Sequence, residues 1–424
     1  MSTLKVNKIR DNSGSTDAIV LDPSGGAVLA GVTTVSTVKV GSGVTISSDG
    51  DVFTTGISTS SSVIVGGGVT ISESGIEASG IGITCANING GAVGGRRNMI
   101  INGDQRIAQR NTTAKLVTTD AAYRCVDRFK TDIDGSGGGN FFHGQTGAGS
   151  SITADVPTGQ GFTHSSKITV NASVSQPSGT DNRHQFYTML EKQDVAHLEW
   201  GTSAAKPCTL SFWVKSSVAG TYILWIKFYG GTSYHYYTNY TIDSANTWEK
   251  KVITITGHTS GGNVSGTFTD QGFLIEWNLG TSSGNETGTL NEWTTSGDIR
   301  AAAGTVYLPE NAGATWYITG VQFEIGSQAT AFEHRSAGEE LALCQRYYFQ
   351  TSGYTKYGTM YATSNSFISL DLPVTMRTDP STATATLQGG GTVSTNYSNK
   401  FYYQQYITGD VSANASQIKM DAEL

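Results

Sequence analysis

The sequence predicts an all-β protein with a repetitive N-terminal β shaft, a central β-sandwich or jelly roll, one short helix and a small C-terminal β domain. Three observations predict this class. A phrase with a period of about 25 residues recurs near the N-terminus, segments with alternating apolar and aromatic residues follow it, and glycine, serine and threonine fill the turns. Charged residues are only 14% of the 424 residues and aromatic residues are 10%, which argues against a disordered chain.

The N-terminal repeat indicates a thin shaft. VGSGVTIS at 40–47 returns as VGGGVTIS at 65–72, and a degenerate copy places Ile19–Leu21 at the same offset. Each unit holds few apolar residues, so one chain alone buries too little surface to offset the entropy of ordering it. We therefore predict that three chains share one narrow core as an intertwined homotrimer. A flexible Gly/Ser/Thr linker is the alternative.

Composition changes sharply at Arg96 and divides the chain into four predicted parts. Residues 1–20 precede the shaft, 21–95 form the shaft and a glycine-rich hinge, 96–337 form the sandwich, and 338–424 form the helix and the C-terminal β domain. Glycine-rich surface loops are expected at 135–139 and 280–288. The predicted strands of the sandwich are Leu210–Lys215, Thr221–Tyr229, Lys251–Thr256 and Trp316–Ile325.

Two further segments have a local signature. Ser336 and Glu339 form a capping box, in which the serine accepts from a helix amide and the glutamate bonds back, so a helix is predicted over Glu339–Tyr348. Asn98–Gln109 mixes apolar residues with Asn, Asp, Gln and Arg, and we interpret it as a strand whose polar side chains pair with neighbours.

Composition also excludes several classes. The net charge is -7 and no basic tract occurs, so nucleic-acid binding is not expected. No apolar run is long enough to cross a membrane, and the N-terminus lacks the apolar core of a secretory signal, so we expect synthesis in a cytoplasm without membrane insertion. The four cysteines lack metal-ligand spacing and are expected to be reduced and structural: Cys85, Cys125, Cys208 and Cys344.

The sequence carries no catalytic motif, and we predict that the protein is not an enzyme. Paired carboxylates could cut a polysaccharide, but surface roles explain the available acidic residues better. The candidates are Asp127, Glu191, Asp194, Glu199, Glu276 and Asp298. No cofactor and no metal site are expected. Asp132–Gly135 resembles part of a Ca²⁺-binding loop, so a structural calcium ion is kept as an alternative.

Tyrosine-rich strands are the candidate glycan contacts. Sugars stack their C–H faces on aromatic rings while Asn reads their hydroxyls. In a strand over Tyr234–Tyr240 one face is core and the other is exposed, so packing plus a subunit contact is the alternative. The candidates are Tyr234, Tyr236, Asn239, Tyr240, Tyr402 and Tyr403.

Three phrases in order carry a resemblance to a known family. RNMIINGDQRIAQR at 97–110 resembles the opening of phage tail-fibre head domains, YRCVDRF at 123–129 resembles the strand that follows, and GVQFEIGSQATAFEHR at 320–335 with EELALCQRYY at 339–348 resembles the close. Such proteins are frequent in tailed phages of marine cyanobacteria. The match covers about a sixth of the chain, and residues 350–424 match nothing familiar.

The resemblance implies a virion structural protein with a jelly-roll head similar to carbohydrate-binding modules. It would dock on other tail proteins through residues 1–20 and bind a host-surface glycan or protein through its head. An architectural adaptor or collar fibre, which binds only other virion proteins, is the alternative. A polysaccharide depolymerase is a third possibility. The residues alone suggest that Asp127 with Arg128, and Glu333 with Arg335, tie the edges of the head module together.

Overall fold

The all-β prediction is confirmed by the computed structural model, which divides into two compact units, Met1–Thr84 and Cys85–Leu424. Both are built from antiparallel strands, and among the described residues the second unit also has two short α-helices. The residues described are 8–10, 17–21, 27–29, 62–65, 69–72, 75–78, 96–118, 121–134, 139–179, 182–285, 289–295, 302–351, 365–387, 392–408 and 416–424.

The described residues of the first unit form two small antiparallel sheets of three strands each. In the second sheet, the VTIS phrase forms the central strand and pairs with both neighbours. The strands are β1 Lys8–Arg10, β2 Asp17–Leu21, β3 Ala27–Leu29, β4 Ser62–Val65, β5 Val69–Ser72 and β6 Gly75–Ala78. The first full copy of the phrase, at 40–47, and the hinge at 85–95 lie outside the described residues, and the three-chain core stays a prediction.

The second unit contains a β-sandwich of two six-stranded sheets. The first sheet has the order β15-β12-β18-β10-β9-β7 and the second β17-β14-β13-β16-β11-β8. The strands are β7 Lys115–Val117, β8 Phe129–Asp134, β9 Asn140–Gly147, β10 His164–Ala172, β11 Arg183–Glu191, β12 Cys208–Ser216, β13 Gly220–Tyr229, β14 Ser233–Ile242, β15 Glu249–Ile255, β16 Gln271–Thr281, β17 Trp293–Thr294 and β18 Thr315–Ile325. The four strands predicted for the sandwich match β12, β13, β15 and β18.

Large aromatic residues hold the two sheets together. Phe186 and Trp277 of the second sheet and Phe212 and Trp316 of the first are fully buried. Their ring centroids lie 5.4 Å apart for Phe186 and Trp316 and 5.5 Å apart for Phe212 and Trp277. Aromatic pairs at these spacings add to the free energy of burial. The core therefore follows from the alternation along each strand, which turns every second side chain inward.

Two local predictions need correction. The helix α2 spans Ala337–Gln345 instead of 339–348, and a further helix, α1, spans Lys192–Val195. The Ser336 hydroxyl does accept from the Glu339 amide at 3.2 Å, but the Glu339 carboxylate bonds to Arg96. The capping box is therefore only half formed, because the Glu339 carboxylate pairs with Arg96 and not with the backbone at Ser336.

The segment 98–109 contains no strand. Asn102 and Gln105 have φ angles of 60° and 61°, which break an extended chain. The Asn102 side chain accepts from the Ile107 amide at 2.9 Å and donates to the Asp127 carbonyl at 2.8 Å. These buried polar side chains satisfy the backbone of an irregular segment, so their pattern reflects local hydrogen bonding and not strand pairing.

The C-terminal β prediction is confirmed by two three-stranded sheets, β19-β24-β21 and β20-β23-β22. Phe349, Met376, Tyr403, Ile418 and Met420 form a second hydrophobic core there. The strands are β19 Tyr348–Gln350, β20 Asn365–Asp371, β21 Thr382–Leu387, β22 Thr392–Ser398, β23 Tyr402–Thr408 and β24 Ser416–Asp421. In the described part of the chain, the three cysteines are free and buried, and none of the helices is long and apolar enough to cross a membrane.

Candidate functional site

The outer face of the first sheet carries a cleft of about 340 Å³, which we name the aromatic cleft. Its volume lies in the range of small-ligand sites, roughly 300–1,000 Å³. Its floor is the sheet at Ser211 and Gly320, and polar groups of Gln160 and Lys250 stand at its edge. Its rings are Phe162, Trp213, Phe332 and His334.

Strand β12 sets the direction of Trp213. Its chain neighbours Phe212 and Val214 are fully buried in the core, so Trp213 points outward and is half-buried. It lies opposite Lys250 on β15 and Thr319 on β18. A half-buried indole is therefore placed on the outer face of the sheet next to an exposed lysine.

A glycine makes room for the wall of the cleft. Gly320 lies where the register of β12 and β18 shifts, and its φ is 62°, a left-handed conformation that favours glycine. A Cβ at this position would come within 2.5 Å of the Phe162 ring. The missing side chain lets Phe162 lie directly over the sheet.

The segment 331–335 builds the second wall by alternation. Glu333 accepts from the Arg97 and Asn98 amides at 2.6 and 2.8 Å, and Arg335 donates to the Ile100 carbonyl at 3.0 Å. Phe332 and His334 project to the other side, into the cleft. The charged side chains thus anchor the segment, and the aromatic rings line the cleft.

The rings support one another. The Phe162 centroid lies 5.0 Å from Phe332 and 5.2 Å from His334, and those two rings are 4.9 Å apart. Ring contacts of this kind restrict the side chains before any ligand binds, which reduces the side-chain entropy lost on binding.

The tyrosines chosen from the sequence occupy different positions. Tyr236 and Tyr240 are 6% and 4% exposed and belong to the sandwich core, which corrects their assignment as glycan contacts. Tyr403 is likewise fully buried in the second core, whereas Tyr402 is 38% exposed. Tyr234 is half-buried with its ring 3.8 Å from that of His258. Asn239 is exposed on β14. None of these six residues lines the aromatic cleft.

The outer face of the second sheet also carries aromatic rings. Trp225 lies opposite Tyr237 and Glu276, and Glu276 lies opposite Tyr187. The rings are only 1–7% exposed, and the Trp225 indole donates to His235 Nδ1 at 3.1 Å. Leu290 and Leu424 pack against this cluster. The row is closed to a ligand, so the aromatic cleft is the stronger candidate.

The charged pairs singled out in the sequence hold distant segments together. Asp127 accepts from the Gln109 side chain at 2.6 Å, and burial raises its pKa to about 7 although Arg110 and Gln109 act in the opposite direction. Arg128 forms an ion pair with Glu423. Asp127 and Arg128 thus do not bond to Glu333 or Arg335. Each of the two charged pairs instead stabilises a different part of the second unit.

Of the other acidic candidates, Glu191 has structural partners, and Asp298 lies outside the described residues. Glu191 is fully buried, accepts from Arg346 at 2.9 Å and from the Tyr347 hydroxyl at 2.6 Å. Asp134 of the calcium-like sequence forms an ion pair with Arg183, while Gly135 lies outside the described residues. Among the residues that the structure describes, no group of three His, Cys, Asp or Glu side chains is arranged to hold a metal ion.

Sequence reasoning missed the cleft for identifiable reasons. Trp213 lies in a predicted strand, and alternation would have placed it on the outer face. Phe332 and His334 alternate with Glu333 and Arg335, which is the signal that one side of this segment is free. Phe162 lies in an irregular segment before β10 and carried no local signal.

No family model and no curated protein matches this chain. Among solved structures, the enzymatically active domain of bacteriophage CBA120 tailspike protein 4 matches at 15% identity and a TM-score of 0.27, covering 54% of this chain and 21% of that chain. The family 11 carbohydrate-binding module of Clostridium thermocellum, in complex with a mixed-linked tetrasaccharide, matches at 13% identity and 0.25, covering 51% and 99%. The CBM22-1 xylan-binding domain of Paenibacillus barcinonensis matches at 10% identity and 0.26, covering 57% and 100%. The chain thus spans about a fifth of the tailspike structure, and at these TM-scores the likeness does not extend to function.

Proposed function

We propose that this chain is a phage tail-fibre protein that recognises a host-surface glycan through the aromatic cleft. The observation that carries the proposal is the cleft itself: pre-positioned rings beside exposed polar groups on an open sheet face. This combination suits sugars, which offer apolar C–H faces to rings and hydroxyls to polar side chains. The three phrases at 97–110, 123–129 and 320–348 support the placement in a phage tail.

The proposal includes the assembly and the site of action. The shaft is the trimeric stem, residues 1–20 dock on other tail proteins, and the protein works as part of the virion after synthesis in the host cytoplasm. Binding is the activity, without cleavage of the glycan. Three heads on one stem convert weak single-site affinities into firm attachment, because the later contacts form at high effective concentration.

Replacement of Trp213 tests the glycan site. We expect Trp213→Ala in the full chain to weaken binding to glycans on an array, and to marine cyanobacterial cells, by about tenfold or more, since buried aromatic anchors dominate such interfaces. The matched control is Trp248→Ala, on the same outer face but outside the cleft lining. Equal binding by both variants would refute the cleft as the site. Binding to virion proteins alone would favour the adaptor function, and release of reducing ends would favour a depolymerase.

The trimeric stem has an independent test. Light scattering on the full chain should give the mass of three copies of the 44.8 kDa chain. Three-fold closure is expected because the apolar residues of one repeat cannot form a core alone. A stable monomer at micromolar concentration would contradict the shared core.

A further inference from the structure

We propose that the aromatic cleft selects glycans that carry a negatively charged substituent, a carboxylate or a phosphate. This inference rests on the proposed glycan function and names the class of sugar. It starts from the charges around the cleft. Lys250 supplies an ammonium group and His334 an imidazole N–H, while no carboxylate is among the described lining residues.

The positive edge is local and not a property of the whole chain. The protein carries 34 acidic and 27 basic residues, so an average patch of its surface is acidic. A cleft with one cation and no anion therefore departs from the rest of the molecule. Such a departure at a concave site favours an anionic ligand by charge complementarity.

The carboxylates near the cleft already have donors. Glu333, next to His334, accepts two backbone amides, and although its burial opposes ionisation, these bonds and Arg335 hold its pKa below the usual range. Asp155 forms an ion pair with Lys215 and accepts from the Trp248 indole at 3.0 Å. Glu324 accepts from the Thr330 amide at 2.8 Å and from its hydroxyl at 2.7 Å. These three carboxylates are bonded to other groups and do not form an ion pair with Lys250.

Lys250 differs from its neighbour in the same strand. Lys251 forms ion pairs with Asp243 at 3.2 Å and Glu249 at 2.6 Å. In the part of the chain that the structure describes, Lys250 has no such partner, and its side chain is exposed. It lies directly opposite Trp213 across β12 and β15. A sugar ring stacked on the indole would therefore carry a charged substituent within reach of the ammonium group.

The test compares matched sugars on the full chain. An array carries neutral oligosaccharides beside uronate-bearing and phosphate-bearing forms of the same linkage, and carboxyl-reduced uronates serve as the neutral partners. We expect a charged form to bind about five- to tenfold more tightly, the size of one partly exposed charge-assisted contact. The preference should fall as salt rises from about 0.05 to 0.5 M, because salt screens exposed charges. The two charged panels distinguish a carboxylate from a phosphate.

Substitution then assigns the preference to one residue. Lys250→Gln should bring charged and neutral forms to equal affinity, and Lys250→Arg should restore the difference. Lys167→Gln is the control, since it removes the same charge from the same face and lies three strand spacings across the sheet from Lys250, a separation of at least about 14 Å. Neutral forms binding as tightly as charged ones, or an unchanged preference in Lys250→Gln, would overturn the inference and leave the glycan function standing. Absence of binding to every sugar would overturn both.

Discussion

Arg128→Met is expected to lower the free energy of unfolding by about 3–5 kcal/mol, the usual cost of breaking a buried ion pair from one side. The side chains of Arg128 and Glu423 are 1% and 5% exposed. The guanidinium also donates to the Met189 carbonyl at 2.6 Å and lies 3.4 Å above the centre of the Tyr347 ring. Methionine fills a similar volume but leaves the carboxylate and the carbonyl without this donor. Chemical denaturation followed by tryptophan fluorescence measures the difference.

Arg96→Met is the matched control for this experiment. Arg96 forms an ion pair with Glu339, but these side chains are 54% and 36% exposed. Exposed pairs contribute about 0–1 kcal/mol, so this variant should remain close to the parent. A double variant, Arg128→Met with Glu423→Leu, should be more stable than Arg128→Met alone, because it removes a buried carboxylate that has lost one of its two guanidinium partners and keeps only Arg110, at 3.3 Å. Equal decreases in the free energy of unfolding for Arg128→Met and Arg96→Met would show that the buried ion pair stabilises the fold no more than the exposed one.

The sandwich could be predicted from sequence because its information is local. Along Thr315–Ile325 and Cys208–Ser216, alternation of side chains fixes which residues enter the core. Residues 98–109 contain a similar mixture of polar and apolar residues, yet Asn102 and Gln105 bend the backbone and bond to it. Periodicity alone does not separate these cases, since it says nothing about which hydrogen bonds a polar side chain will make.

The site was less predictable because exposure depends on distant segments. Alternation places Trp213 on one outer face and Trp225 on the other. Phe162 and the segment 331–335 leave a cleft over Trp213, whereas Leu290 and Leu424 pack over the cluster that contains Trp225. These covering residues lie far along the chain from the tryptophans. A single sequence shows which aromatic side chains point to the outer face of a sheet. It does not show which of them remain exposed to solvent.

Arg335→Met should remove a comparable amount of stability, about 3–5 kcal/mol, and should also disable the aromatic cleft. Arg335 is 9% exposed and donates to the carbonyls of Ile100 and Asn98 and, at 3.3 Å, to Glu340. It anchors the same segment that presents Phe332 and His334. Loss of the anchor releases one wall, so glycan binding should fall about tenfold or more even at temperatures where the protein stays folded.

Acid should repair part of this defect if its origin is electrostatic. Burial raises the pKa of Glu340, partly offset by the Asn102 amide and by Arg335. Without Arg335 the folded state favours a proton on Glu340 more strongly, so its stability rises as the pH falls toward the ordinary pKa of a glutamate. The difference in unfolding free energy between Arg335→Met and the parent should therefore shrink from pH 8 to pH 5. Arg335→Lys keeps the charge but not the planar fork, so it should show a smaller loss with little pH dependence. A deficit in Arg335→Met that stays constant across this range would assign the anchor to packing and carbonyl bonding instead of to the ion pair with Glu340.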